Sequence, residues 1–194
     1  GTRPLHRGLF FYYNKYITNT KSNSMTTSIH SFIKDKKKPD YRDTLTTTRL
    51  FVKDYTTQYA DAITENYKRN HIRQLKYNSL RYSNGGDKSL SDYANQQLKE
   101  IEDGTAKLMR FKIYEGRKYY KIVQQDYDTF QNRNEYRDGS VHAFVDKKTG
   151  DVYKPASWNK PAKHVRYTFQ DSHQLRFLLD PNNVGWAGGY LYLR

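Results

Sequence analysis

The sequence predicts an α+β protein, in which N-terminal amphipathic helices precede a small, mainly antiparallel β-sheet with one short helix. Apolar and aromatic residues recur at helical spacing up to residue 104, and apolar and polar residues alternate from residue 107 onward. Turns that contain glycine or proline divide the alternating part into short segments, which is typical of antiparallel strands. The apolar fraction is only 36%, but nineteen tyrosines can bury their rings while their hydroxyls stay accessible, so a core can still form.

Helical periodicity begins in residues 44–82, where Tyr55, Tyr59 and Ile63 are spaced four residues apart. This pattern predicts one long or two shorter amphipathic helices. The sequence Asn-Gly-Gly-Asp at 84–87 then interrupts the helical pattern, because its glycines favour a turn.

A second helix is predicted between this turn and Gly104, the residue expected just after its C-terminus. Ser89 and Asp92 resemble a capping box at its start. The apolar residues expected on one face of this helix are Leu90, Tyr93, Ala94, Leu98 and Ile101.

The first predicted hairpin pairs residues 108–114 with residues 118–124 through a turn at 115–116. In its first strand, Phe111 lies on the apolar side with Met109 and Ile113, while Arg110 and Lys112 point to the other side. Residues 125–139 are polar, rich in Asp, Asn and Arg, and have no periodicity. We interpret them as a long surface loop, and long loops are frequent sites of function.

A second hairpin is predicted from residues 140–145 and 151–154, with Gly150 taking a left-handed conformation in the turn between them. Pro155 ends the pairing, and a loop up to Pro161 contains Trp158. The remaining predicted elements are a strand at 164–169, a helix at 172–179 capped by Asp171 and ended by residues 180–183, and a C-terminal strand at 190–193. The pattern leaves the strand order open.

Charge and composition divide the chain into three segments. Residues 1–24 contain four basic and no acidic residues, and they form either a flexible basic arm or a leader before Met25 that is not part of the native protein. Residues 25–104 form the helical segment, with fourteen basic against eleven acidic residues. Residues 105–194 form a basic β-rich module, with sixteen basic against nine acidic residues and half of the net charge of +14. Such a protein is attracted to polyanions.

Several chemistries are disfavoured by what the sequence lacks. It contains no cysteine, which excludes disulfides, thiolate catalysis and cysteine-ligated metals and is consistent with a reducing cytosol. No apolar run is long enough to span a membrane. The common phosphate-loop, dinucleotide, zinc-protease and nucleophile-elbow motifs are also missing. We therefore predict no catalytic residue, no metal site and no cofactor, and expect a protein that is not an enzyme.

Two residue sets represent the enzyme and metal alternatives. Asp126 and Asp128 are a candidate hydrolase pair. The alternative is that they are ordinary solvated side chains of a loop. A metal site would draw on the imidazoles and carboxylates of the β module, but their spacing is irregular. These metal candidates are His142, His164, His173, Asp146 and Asp151.

Basic and aromatic residues alternate around the second hairpin, as binding of single-stranded DNA or RNA requires: cations follow the phosphates and flat rings stack on the bases. The candidate nucleic-acid-binding residues are Lys147, Lys148, Tyr153, Lys154, Trp158, Lys160, Lys163, Arg166 and Tyr167. The structural alternative is that Trp158 and Tyr167 belong to the core and that Lys147 and Lys148 form an ordinary solvated turn.

The segments FVDKKTGDVYKPASWNKPAKHVRY (144–167) and GWAGGYLYLR (185–194) resemble a group of uncharacterised small proteins of tailed bacteriophages, including phages of marine cyanobacteria. The resemblance covers about residues 107–194 and implies no biochemical activity. His164 departs from the shared pattern, in which glycine usually follows PAK, so a close backbone approach to a ligand is not expected there. The resemblance implies a phage-encoded protein in the cytoplasm of the infected bacterial host or in the virion.

Three functions follow from these observations. The first is an accessory protein that binds DNA or RNA through the basic, aromatic face of the β module. The second is a virion component or a protein that binds a phage or host protein, with tyrosine-rich helices at the interface. The third is an enzyme with an unrecognised site in the long loop.

Overall fold

The computed structural model of this protein describes residues 41–83 and 85–192, and it describes side chains from residue 50 onward. Within these ranges three α-helices accompany five strands, and the α+β prediction is confirmed. The elements are α1 (Tyr41–Ser83), α2 (Lys88–Glu102), β1 (Arg110–Glu115), β2 (Tyr119–Asp128), β3 (Glu135–Asp146), β4 (Asp151–Pro155), β5 (Pro161–Thr168) and α3 (Ser172–Leu179). The predictions for residues 1–24, Met25, Asn84, Leu193 and Arg194 lie outside the described residues.

Helix α1 is one long helix of 43 residues, the first of the two predicted alternatives. Its first half packs on the sheet, because Val52, Tyr59 and Ile63 recur at intervals of seven and four residues and so share one face. These side chains are almost completely buried. In its second half α1 packs instead against α2, where Leu75 and Ala94 are buried.

Helix α2 begins differently from the prediction. Its N-cap is Asp87, whose carboxylate accepts hydrogen bonds from the backbone N–H and the hydroxyl of Ser89 at 2.9 and 2.6 Å. The prediction of a capping box at Ser89 and Asp92 is therefore wrong, because Ser89 already lies within the helix. Gly104 does follow the helix in a left-handed conformation (φ +75°), and its N–H donates to the Ile101 carbonyl.

The five strands form one antiparallel sheet in which each strand pairs with the next along the chain, in the order β1-β2-β3-β4-β5. The turns at 147–150 and 156–160 occur where they were predicted, and Gly150 has a φ of +72°. Asp171 caps α3 by accepting from the N–H groups of His173 and Gln174. These features are confirmed because each depends on a few adjacent residues.

The predicted long loop at 125–139 is wrong. Most of it extends the β2–β3 hairpin, in which Tyr127 pairs with Tyr136 and Asp128 pairs with Glu135. Cross-strand contacts take the place of an apolar pattern here: the two tyrosine rings meet edge to face at 5.2 Å, and Arg137 forms an ion pair with Asp128 at 3.2 Å.

The predicted C-terminal strand at 190–193 is also wrong in the described part. Gly188 takes a left-handed conformation (φ +80°) and leads into a 3-10 turn, Gly189–Leu191. The Leu191 side chain is therefore buried in the core. In a strand on the sheet edge it would be more exposed.

Helices and sheet share one hydrophobic core. We call the side of the sheet that contacts α1 the inner face, and the opposite side the outer face. α3 also packs on the inner face, through Leu175 and Leu178. The buried cluster joins residues of α1 with residues of the β-rich part, so the predicted segments 25–104 and 105–194 contribute to the same core.

A chain of buried hydrogen bonds crosses the inner side. His142 lies at a β-bulge, because Ile122 pairs with Ala143 while Val123 pairs with Val141. The Nε2 of its ring is hydrogen-bonded to the Tyr190 hydroxyl at 2.8 Å. The Tyr190 hydroxyl is also hydrogen-bonded to the hydroxyl of Tyr59. Burial lowers the pKa of His142 from its ordinary value of 6.5 to about 4.

Candidate nucleic-acid interface

The outer face is formed by the alternate side chains of the strands. On β1, Phe111 and Ile113 turn toward α1, so that Arg110, Lys112 and Tyr114 point outward. This confirms the predicted alternation in the first strand. Within the described part of the chain, both helices that pack on the sheet do so on the inner face, and the outer face has no helix over it.

Aromatic rings occupy the middle of the outer face. The Tyr119 ring meets the Phe144 ring at 5.9 Å and the Tyr153 ring at 6.0 Å, in both cases edge to face. We call Tyr119, Phe144 and Tyr153 the aromatic cluster. The two tyrosines cover Phe144, which is only 3% exposed although no helix of the described part lies above it. Trp158, in the loop between β4 and β5, is 42% exposed.

Cationic groups lie close to these rings. Lys121 extends from β2 to the β4–β5 loop, where its Nζ is 4.5 Å from the Trp158 ring centroid and donates to the Trp158 carbonyl at 3.3 Å. Similar pairs occur on both sides of it. They join Lys118 to Tyr119 at 5.1 Å, Lys112 to Tyr114 at 5.0 Å and Arg110 to Tyr136 at 3.7 Å.

Asp138 contributes a carboxylate to the same face. It accepts hydrogen bonds from the Gln125 amide at 2.7 Å and from the Tyr114 hydroxyl at 2.9 Å. These bonds, with the charges of Lys112 and Lys121, hold the pKa of Asp138 below its ordinary value. The hydrogen bond to Asp138 also raises the pKa of Tyr114. The carboxylate of Asp146 lies 3.9 Å from the Nζ of Lys118. Because Arg110, Lys112, Lys118 and Lys121 outnumber these two carboxylates, the face is positively charged.

The structure divides the nine predicted site residues into two groups. Tyr153 and Trp158 contribute to the outer face as described. Lys148, Lys160 and Lys163 have exposed side chains in turns and on β5, where their ammonium groups are accessible to solvent.

The other four predicted residues make contacts within the protein. Lys147 forms a 2.6 Å ion pair with Glu115, and the Nζ of Lys154 lies 4.6 Å from the centroid of the Tyr192 ring. The Nε of Arg166 donates to the Leu191 carbonyl at 2.7 Å. Tyr167 is half-buried. Its ring stacks on the ring of Phe177 at 5.2 Å, and its hydroxyl donates to the Tyr190 carbonyl at 2.8 Å. Tyr167 is thus a structural residue, whereas Trp158 is not part of the core.

The outer-face residues of β1, of β2 and of the turn between them were missed as site candidates. They are Arg110, Lys112, Tyr114, Lys118, Tyr119 and Lys121. The signal was present in the sequence, because the alternation that directs Phe111 inward directs Lys112 outward. The same rule applied to β2 would have placed Tyr119 and Lys121 beside each other.

Two of the residues considered for catalysis or metal binding, Asp128 and Asp146, are engaged in contacts within the protein. Asp128 binds Arg133 and Arg137, each at 3.2 Å, and accepts the backbone N–H of Phe130. The oxygens of Asp146 hold the β3–β4 turn by accepting the N–H groups of Lys148 and Thr149. In the described ranges, no group of three or more His, Asp or Glu side chains is suited to a metal ion.

Two further observations describe the chain as a whole. No helix among the described residues combines the length and the apolar character that crossing a membrane requires. A family model with the description "Family of unknown function (DUF7717)" matches residues 38–193, which include all the described helices and strands. No curated protein and no solved structure matches the chain.

Proposed function

We propose that this chain, which belongs to the family of unknown function DUF7717, binds single-stranded DNA or RNA on the outer face of its sheet. The observation that carries the proposal is the pairing of rings and cations on a sheet face that no described helix covers. Lys121 beside Trp158 and Lys118 beside Tyr119 are the two central pairs.

This arrangement supplies both interactions that a single strand needs. The bases stack on accessible ring faces, and Trp158 offers the largest of these. The phosphates lie near Lys112, Lys118 and Lys121, whose ammonium groups displace the counterions of the strand. A paired duplex hides its base faces, so the rings favour unpaired strands.

The test is a binding titration with labelled oligo-dT and oligo-rU at several salt concentrations, in which binding is measured by fluorescence anisotropy. We expect affinity to fall steeply as salt rises. Replacement of Lys112, Lys118 and Lys121 by Gln together should lower the affinity at least about tenfold. It should also reduce the salt slope by about 0.7 for each phosphate that the variant no longer neutralises.

The matched control replaces three exposed cations on the helices, Lys88, Lys99 and Arg176, by Gln. It removes the same charge but leaves the outer face intact, so we expect a much smaller decrease in affinity. Equal decreases in the two triple variants would show that only net charge matters. No binding by the unaltered protein at low salt would refute the proposal.

For the biological setting, we propose a phage-encoded accessory protein in the cytoplasm of the infected bacterial host, with the virion as the alternative location. Support comes from the resemblance of residues 144–167 and 185–194 to small proteins of tailed bacteriophages. Affinity capture from infected cells, with and without nuclease, tests this setting. Partners that disappear after nuclease treatment indicate a nucleic-acid role, and partners that remain indicate protein contacts.

A second candidate function, contact with a phage or host protein, is favoured by a separate surface. Near the turn between α1 and α2, Tyr77, Leu80, Leu90 and Tyr93 are between 45% and 67% exposed. Exposed apolar side chains gathered in one region often mark a protein interface. Replacement of Leu80 and Leu90 by Ser should abolish nuclease-resistant partners, and a strictly monomeric protein with no such partners would contradict this function.

A further inference from the structure

A groove runs along the second half of α1, on the opposite side of the sheet from the outer face. Residues 67, 70, 71, 74 and 77 line it, and their spacing of three and four residues places them on one face of the helix. Trp186, from the segment after α3, forms the facing wall. The groove is lined by Tyr67, Asn70, His71, Arg73, Gln74, Tyr77 and Trp186.

The aromatic side of the groove is held in place by the protein itself. The backbone N–H of Trp186 donates to Oδ1 of Asn66 at 2.9 Å, and the Asn66 side-chain amide donates to the Pro181 carbonyl at 2.6 Å. The Tyr67 ring meets the Trp186 ring edge to face at 5.5 Å and stacks on the His71 ring at 5.6 Å. Trp186 nevertheless remains 37% exposed, so an accessible ring is fixed before any ligand arrives.

The groove also lies in a strongly basic part of the helix. Residues 66–86 contain five basic and no acidic residues. Among the described residues, Arg73 has no ion pair, and its Nη1 donates to the neutral side-chain oxygen of Asn70 at 3.4 Å. Its charge is therefore available to an anion. At the other end, burial and the charge of the Asp126 carboxylate raise the pKa of Tyr67. The same negative charge repels a phosphate from that end, so a phosphate is favoured near Arg73.

We infer that this groove binds a nucleotide, with the base against Trp186 and the phosphate at Arg73. Ring faces fit a planar heteroaromatic base, and the side-chain amides of Asn70 and Gln74 provide hydrogen-bonding groups for its edge. A guanidinium is suited to the phosphate because it can donate two parallel hydrogen bonds. The ligand is a free nucleotide or one nucleotide of a strand. The groove shares no residue with the outer face and stands independently of the proposed function.

The two tryptophans of the chain allow the two sites to be measured separately. Trp158→Phe leaves Trp186 as the sole indole, and Trp186→Phe leaves Trp158. In the Trp158→Phe protein, we expect AMP and an oligo-dT strand each to quench the fluorescence of Trp186 saturably. Both titrations are corrected for light absorbed by the bases. Saturation by AMP identifies a free nucleotide, and saturation by the strand alone identifies a nucleotide within a strand.

Arg73→Gln in the Trp158→Phe background should weaken binding of the saturating ligand about tenfold. The matched control is Lys76→Gln, an exposed cation on α1 outside the groove lining, which should change the affinity by less than about twofold. No saturable change in Trp186 emission with either ligand, or equal decreases in affinity in the two variants, overturns the inference. Binding at Trp158 in the Trp186→Phe protein tests the outer face and is unaffected by either result.

Discussion

The inner and outer faces of the sheet are both rich in tyrosine, but they use its two chemical parts differently. On the inner side the hydroxyls are the important groups: Tyr59, Tyr190 and Tyr167 each form hydrogen bonds within the protein. At the centre of the outer face the Tyr119 ring contacts the Phe144 and Tyr153 rings edge to face, and only at its margin does a hydroxyl, that of Tyr114, bond to Asp138. A buried tyrosine whose hydroxyl is bonded internally stabilises the fold, whereas a tyrosine on an uncovered sheet face keeps part of its ring surface for a ligand.

The comparison predicts that truncating a tyrosine to alanine lowers the free energy of unfolding by different amounts on the two faces. Tyr59→Ala should lower the free energy of unfolding by about 3 to 5 kcal/mol, because it removes a fully buried ring and leaves a cavity. Tyr153→Ala on the outer face should cost about 1 kcal/mol, the range of a cross-strand ring contact. Urea denaturation of both variants measures the difference, and similar decreases would contradict the distinction between the faces.

The inner face should also make stability depend on pH. His142 has a pKa of about 4 in the folded protein, against 6.5 without burial, so the unfolded chain takes up its proton first as pH falls. Protonation of His142 therefore does not affect the free energy of unfolding above pH 6.5. Between pH 6.5 and 4 it lowers that free energy by a total of about 3 kcal/mol.

Urea titrations at pH 7, 5.5 and 4 measure this decrease in stability. His142→Gln should remove the dependence in this window. His173→Gln, at an exposed position, should retain it. If both variants keep the dependence of the unaltered protein, His142 is not its source.

On the outer face, Trp158→Ala should weaken single-strand binding by about 1 to 3 kcal/mol through removal of one base stack. Its effect on unfolding should be within about 0.5 kcal/mol, because the ring belongs to an exposed loop. Phe130→Ala is the control, since Phe130 is 64% exposed in the β2–β3 turn and lies outside the proposed interface. An equal decrease in affinity in both variants would argue against a specific stacking position.

The smallest expected effect separates two lysines that the sequence does not distinguish. Lys121→Gln should lower affinity several-fold and reduce the salt slope by about 0.7, the value of one neutralised phosphate. Lys154→Gln should change neither by a comparable amount, because Lys154 lies over the Tyr192 ring at the C-terminal segment. A larger effect of Lys154→Gln would indicate that the interface lies closer to β5 and the C-terminus.

Local features of the fold could be predicted from the sequence alone. Gly150 in its turn, Gly104 after α2 and the Asp171 cap each depend on the chemistry of a few adjacent residues. The change from helical to alternating spacing near residue 107 likewise predicted the α+β class. The alternation of Phe111 with Lys112 showed that the two side chains point to opposite faces.

Tertiary structure decided what depends on distant partners. The strands within residues 125–139 have no apolar period, because pairs such as Tyr127 with Tyr136 support them across the hairpin. Leu191 leaves the expected strand to enter a core built by α1 and α3. Alternation assigns side chains to two faces, but only the packing of α1 determines which face is buried. That choice places Tyr167 inside and Tyr153 outside, although the two have the same residue type and similar basic neighbours in the sequence.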